Sequence, residues 1–310
     1  SFFFSISGYC FAMIFKRKKY DFFFIFCPSP IITSLPVIIL SRLFKIKIII
    51  WVLDLWPSTL KDLGVTKNKF ILNILEKLVK YIYNSCDLIL VQSKSFYKTI
   101  DKISQTKKHI FYSWPEENSF NLQNISNTVN KLPGYTYIVF TGNVGQAQGL
   151  SYLIESANLI RDKSLKIKWV IVGDGRDYQN IKQLIKINKL ENEFSLVGNI
   201  DSKDVSKYFK IADALFISLI KNETFSKTIP GKLQTYMNTG VPILAMISGE
   251  AQEIIKKAEC GLVVDSEDVI NFSKIVEEFI NLNTNEKEKL GKNAKMFAEK
   301  KFSKSEILKD

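Results

Sequence analysis

The residues best placed to do chemistry lie in the stretch SKTIPGKLQTYMNTGVP, residues 226–242. Lys227 and Lys232 flank Ile-Pro-Gly where a loop enters a predicted helix. A helix N-terminus offers free N–H groups and the positive end of the dipole. Two lysines there cost stability unless an anion such as a diphosphate arrives; a charged, solvated loop is the alternative. Two further turns share this logic. TGNVGQAQGL puts Gly142, Gly145 and Gly149 between a strand and a helix, and VIVGDGRDYQNIKQLI does the same with Gly173 and Gly175. Glycines there let a backbone approach a phosphate, although any tight turn also favours them. Arg176 follows directly, where its fork could grip a phosphate or a base, or simply face solvent. Neither turn is G-x-G-x-x-G, and no acid follows at the dinucleotide-binding spacing, which counts against a NAD enzyme. Asp54, in WVLDLWP, follows an apolar strand. It could serve a reacting group, or cap the next helix.

These residues need elements to carry them. From Asp21 the chain alternates apolar strands (DFFFIFC, KIKIIIWV, DLILV, KKHIFYSW) with helical stretches, one of them over residues 31–44. Short strands alternating with helices predict a parallel α/β sheet. A polar Asn/Ser-rich stretch near residues 118–134 reads as a linker. A second alternation follows, with about six strands, and predicts a doubly wound sheet. Its strand-end loops, at residues 141–149, 173–176, 198–200, 221–232 and 247–250, fall on one edge, where such folds bind ligands.

Bulk properties narrow the options. A chain of 310 residues with 46% hydrophobic and 24% charged residues can bury two domain cores. Net charge is +12, which suggests nucleic acid, a phosphorylated substrate or a membrane surface. Residues 1–126 hold 17 Lys+Arg against 8 Asp+Glu, so most of the excess lies early; a lysine-rich codon bias explains it equally well. The basic residues are scattered without a recognition motif, so nucleic acid is not an expected partner. Cys10, Cys27, Cys86 and Cys260 are far apart and His109 is alone, which argues against zinc or iron–sulfur sites and for a reducing cytosol. The opening SFFFSISGYCFAMIFKRKK begins with Ser1, and its apolar run ends at Phe15, too short to span a bilayer with ease. No signal peptide is recognisable. A buried helix whose preceding strands are missing is favoured over an interfacial one.

The order of motifs resembles glycosyltransferase family four. The residues carrying it are FTGNVGQAQGLSYLIESA, WVIVGDGRD, FSLVGNIDSKDVSKYFKIADALFISL, TIPGKLQTYMNTGVPILA, SGEAQEIIKKAECGLVV and KNAKMFAEKKFS, with WVLDLWPSTLKDLG in the first half. The last fits a subgroup similar to transferases that build cell-surface polysaccharide and O-antigen. The resemblance implies a GT-B fold, α/β, with two Rossmann-like parallel-sheet domains facing a cleft. Residues 1–126 would be a partial acceptor-side domain and 127–295 the nucleotide-sugar domain, with 296–310 a helix returning to the first. Nothing before Ser1 supplies the usual first strand and Gly-rich loop, so the first domain is expected to be incomplete.

The resemblance also implies a nucleotide-diphospho-sugar donor, UDP-linked, and retention of configuration. The acceptor would be lipid-pyrophosphate-linked or a glycan, met from the cytoplasm at the inner membrane face. No metal or organic cofactor is expected. Donor-binding residues would be Gly142, Asn143, Gly145, Gly173, Gly175, Arg176, Asn199, Lys227, Lys232, Gln234, Thr235 and Glu250, with Asp54 catalytic. The sequence departs from the family pattern in places. Where many relatives carry an Arg and a Lys in the first Gly turn, Asn143 and Gln148 stand. Where many carry two glutamates, Lys227 and Thr235 stand. Lys227, Lys232 and Arg176 would then supply the positive charge, Gln234 or Thr235 the sugar or ribose hydrogen bonds, and Glu250 another contact. A retaining front-face route needs no enzymatic base, because the leaving phosphate can take the proton. Loss of the glutamates also motivates a different reading, a degenerate nucleotide-sugar-binding subunit.

Overall fold

A computed structural model describes residues 20–62, 64–115, 129–163 and 165–309. The opening stretch to Lys19 and most of the 118–134 linker lie outside the described residues. The chain divides into two compact units, Ser1–Tyr112 and Ser113–Asp310.

In the first unit β1 (Phe22–Cys27), β2 (Lys47–Val52), β3 (Leu88–Val91) and β4 (Lys108–Ile110) form a parallel sheet in that order. The residues 31–44 expected as one helix split. A 3-10 turn at Ile31–Ser34 leads into α1 (Leu35–Phe44), because Pro36 has no N–H and suits only the first turn of a helix. After β2 come α2 (Ser58–Asp62) and α3 (Lys69–Asn84), and α4 (Lys94–Asp101) joins β3 to β4. Central strand β2 buries Ile48, Ile50, Trp51 and Val52, as a parallel strand covered on both faces does. β1 instead alternates. Phe23, Ile25 and Cys27 are buried, while Phe22, Phe24 and Phe26 are exposed. The expected strand KKHIFYSW shortens to Lys108–Ile110 at the sheet edge. Beyond it Phe111 is held by its N–H to Val91 O (2.7 Å) and by the Trp51 indole on its carbonyl (3.1 Å).

The second unit has the six expected strands: β5 (Thr136–Thr141), β6 (Ile167–Val172), β7 (Phe194–Gly198), β8 (Ala214–Ser218), β9 (Ile243–Met246) and β10 (Gly261–Val264). They pair in parallel in the order β10-β9-β8-β5-β6-β7. The chain starts at β5, winds out to β7, then returns to β8 and winds the other way. The switch point of this doubly wound sheet therefore lies between β5 and β8, where ligands bind in such folds. The connecting helices are α5 (Leu150–Ile160), α6 (Tyr178–Ile187), α7 (Ser202–Ile211), α8 (Glu223–Ser226), α9 (Gly231–Thr239) and α10 (Glu250–Ala258). Helices α11 (Val269–Asn281), α12 (Thr284–Lys301) and α13 (Lys304–Ile307) finish the chain.

Two features of this unit differ from a plain alternation. The loop expected over 221–232 contains α8, nucleated by Asn222, whose side-chain oxygen accepts from Thr224 N (2.8 Å) and Phe225 N (3.1 Å). Residues 296–301 continue α12, which starts on an Asn283–Glu286 capping box. α12 packs against α9 so closely that a Cβ on Gly291 would lie 2.1 Å from Gly240 O.

Candidate functional site

The second unit gathers its turns at the carboxyl end of the sheet. Gly142 ends β5 with φ +116, a conformation only glycine adopts without strain, and its N–H donates to Val172 O (2.8 Å). Gly173 ends β6 with φ +137, and a Cβ there would lie 1.9 Å from Gly142 O. Its own N–H donates to Gly198 O (2.8 Å) at the end of β7. Three neighbouring turns are thus stacked backbone on backbone. On the other side of the switch point, Ile220 N donates to Ala147 O (3.0 Å) and the Ser218 hydroxyl to Gln148 O (2.5 Å). The loop after β8 is stitched to the loop after β5.

Helix α9 is fastened to the same place. The Tyr236 hydroxyl accepts from Thr141 N (2.8 Å), and the ring meets Phe209 edge-on at 5.8 Å. Both Tyr236 and Thr141 are buried. Lys232 is one helical turn earlier on the same face. Its ammonium therefore lands 3.5 Å from the centre of the Phe140 ring, and a Cβ at Gly142 would touch its Nζ at 3.4 Å. Lys232 is half-buried, and no acid or hydrogen-bond partner reaches it among the described residues. Burial pushes its ammonium down to about 7. The N-terminus of α9 has no side-chain cap and no acid in its first turn. An unneutralised ammonium, an open helix N-terminus and the exposed Gly142 turn form one anion-attracting corner.

The other expected residues divide. Lys227 pairs with Glu223 (2.7 Å), four residues earlier, at the end of α8, so it does not share the unneutralised state of Lys232. Gln234 is 1% exposed; its amide oxygen accepts from the Ser113 hydroxyl (2.6 Å), and its Nε2 is buried without a partner. It is built into the α9 packing rather than presented outward. Thr235 is half-buried, one turn on from Lys232. Asn143 is exposed, with its side chain over the two glycines that make room for it: a Cβ at Gly145 would lie 2.9 Å from Nδ2, and one at Gly175 2.6 Å from Oδ1. Gln148 turns back to accept from Gly145 N (3.1 Å). Arg176 and Asn199 are exposed at the ends of their turns. Glu250 is half-buried at the start of α10, after Gly249, where a Cβ would lie 2.0 Å from Ser226 O. Tyr236 was not among the expected residues, although a phenol one turn from a functional lysine is visible in the sequence.

In the first unit Asp54 accepts from the Trp56 indole (3.2 Å) and from the Thr59 hydroxyl. It braces the turn between β2 and α2 through side chains rather than by capping a backbone N–H. Nearby, a cavity of about 320 Å³ is lined by Leu55, Trp56, Val79, Tyr83 and Ile100, with Glu76, Lys77 and Lys80 also on its wall.

Two parallel-sheet α/β units, the second with an anion-attracting corner at its switch point, place the fold in the GT-B class. The family model for glycosyl transferases group 1 matches residues 123–297, more than half of the chain, and the protein belongs to that family. It is 29% identical over 156 residues to 2-deoxystreptamine N-acetyl-D-glucosaminyltransferase from Niallia circulans, covering 50% of this chain and 38% of the relative. It is 23% identical over 270 residues to the probable glycosyltransferase WbjE of Pseudomonas aeruginosa, covering 82% of this chain and 64% of the relative. The chain thus spans less than two thirds of either relative. Among solved structures, the fold is similar to sucrose-phosphate synthase from Thermosynechococcus elongatus (TM-score 0.77, 14% identity, 98% of this chain and 75% of that one). It is also similar to Anabaena HepE in complex with UDP and glucose (TM-score 0.73, 14% identity, 98% and 78%). Among the described residues, no helix is long and apolar enough to cross a membrane.

Proposed function

We propose that the protein transfers a sugar, with retention of configuration, from a UDP-linked donor to a lipid-pyrophosphate-linked or glycan acceptor in cell-surface polysaccharide synthesis, working peripherally at the inner membrane face. The observation that carries the reading is Lys232, an ammonium with no acid partner among the described residues, at the uncapped start of α9 and against the Gly142 turn. A diphosphate seated there would restore the lysine's charge and use the free helix N–H groups. The solved neighbour HepE is in complex with UDP and glucose, and WbjE is named a probable glycosyltransferase, which supports donor and reaction class.

In this scheme the bond between the sugar's anomeric carbon and the diphosphate breaks, and an acceptor hydroxyl bonds to the same face. The hydroxyl proton passes to the departing phosphate. Lys232, with Arg176 beside the second turn, stabilises the charge that develops on the leaving group. Thr235, one turn from Lys232, is assigned a hydroxyl of the donor in place of the buried Gln234. No metal or organic cofactor takes part. The acceptor is assigned to the first unit, whose largely apolar cavity, with two lysines (Lys77, Lys80) against one acid (Glu76) on its wall, suits a lipid carrying a pyrophosphate.

Radiolabelled sugar transfer from a UDP-sugar panel to membrane lipid, run beside UDP-induced thermal shift, tests the reading. Transfer by the wild type, lost in Lys232→Met, is the expected result. A UDP shift without transfer from any donor would favour the degenerate binding subunit that Thr235 and Lys227, at the expected glutamate positions, also suggest. Neither shift nor transfer would end both readings.

A further inference from the structure

The turn before α3 and the helix's first two turns carry large side chains that the fold does not bury. Phe70 is 73% exposed, Val65 66%, Ile74 50% and Ile71 44%. Phe70 and Ile74 are four apart and share a helix face. Exposed Lys67 and Lys69 fall in the run between Asp62 and Glu76, which holds no acid, and exposed Lys61 and Lys77 lie just beyond those two acids. The tip is held in shape. Asn68 accepts from Phe70 N (2.9 Å) and Ile71 N (3.4 Å), and the Thr66 hydroxyl accepts from Asn68 N (3.2 Å). The apolar side chains are therefore presented by a capped helix end, with little backbone entropy left to lose on binding.

We infer that residues 64–74 are a docking surface for an anionic lipid bilayer, with Phe70, Val65 and Ile74 entering the headgroup–acyl boundary and the lysines resting among anionic headgroups. An amphipathic element that carries an exposed Phe and Lys67 and Lys69, with its acids confined to its two ends at Asp62 and Glu76, has the chemistry of an interfacial anchor. A second copy of the chain is a poor occupant, because it would set this lysine cluster against itself. The inference gives a place to the membrane contact in the proposed function and rests on that reading only for its purpose.

Co-sedimentation of the full chain with vesicles tests it, comparing phosphatidylglycerol–phosphatidylcholine mixtures with phosphatidylcholine alone. Two double variants, Phe70→Ser with Ile74→Ser and Lys67→Glu with Lys69→Glu, should melt like the wild type because the changed side chains are exposed. The wild type should bind the anionic vesicles in a salt-sensitive way, and each variant should bind them about tenfold more weakly or worse. No binding of the wild type, equal binding to neutral vesicles, or unchanged binding by either variant overturns the assignment. UDP affinity measured on the same samples reports separately on the donor reading and should be unchanged in both variants.

Discussion

The Tyr236 hydroxyl accepts the Thr141 N–H at 2.8 Å, tying helix α9 to the last residue of strand β5. That bond, with the packing of buried Leu233 and Met237, holds the face of α9 that carries Lys232 one turn earlier. Tyr236→Phe would leave the Thr141 N–H buried and unpaired, at a cost of about 1–3 kcal/mol. UDP affinity should also weaken, through loss of α9 position rather than of charge. Chemical denaturation and UDP titration of this variant should show both effects together.

Lys232 itself should cost stability. Burial holds its folded pKa at about 7, below the ordinary lysine value of 10.5. Between those values the unfolded chain holds a proton that the folded one lacks, so this contribution makes stability rise with pH across that window. The burial cost is full at pH 7 and below. Lys232→Met should therefore stabilise the ligand-free protein by about 1 kcal/mol near neutrality, after allowing for its contact with the Phe140 ring. The gain should shrink as the pH approaches 10. Melting curves of both proteins across that range check the sign.

Gly173→Ala meets two obstacles at once: φ of +137 and a Cβ position 1.9 Å from Gly142 O. The Gly142 and Gly173 turns cannot both stay where they are. Loss of about 3 kcal/mol or more is expected, with UDP binding lost alongside. Gly134→Ala, where a Cβ would meet nothing nearer than 4.0 Å, is the fair comparison for a positive φ alone (+75).

Asp54→Asn separates a brace from a base. The carboxylate is held by Trp56 and Thr59, and the proposed route gives the acceptor proton to the leaving phosphate. Turnover should fall less than about tenfold; a loss of a hundredfold or more would make Asp54 a general base.

How far the sequence led depends on the residue. Alternating strands, helices and Gly turns predicted two parallel sheets, because each element's period and punctuation is local. The 31–44 helix split for an equally local reason, Pro36, which was there to be read. β1 was harder: when nearly every side chain is Phe or Ile, the alternation that exposes Phe22, Phe24 and Phe26 leaves no mark in composition. At the site, excess charge at a helix entrance singled out Lys232, but that no acid meets it among the described residues is a tertiary fact. The engagement of Lys227 by Glu223 was visible as an i,i+4 pair once α8 existed, and α8 depends on the Asn222 cap. Gln234 looked polar and available; the helix phase that buries Leu233 and Tyr236 turns it towards Ser113 instead.

The most direct test is calorimetric titration of UDP at about pH 8 in two buffers of different ionisation enthalpy, for the wild type and Lys232→Met. A lysine near pKa 7 should take up a proton as the diphosphate arrives, and wild-type affinity should fall as pH rises further above 7. Lys232→Met should lose that uptake and bind UDP roughly 10- to 100-fold more weakly, the worth of one charge-assisted contact. Equal affinity in the two proteins, with no proton uptake in either, would contradict the account.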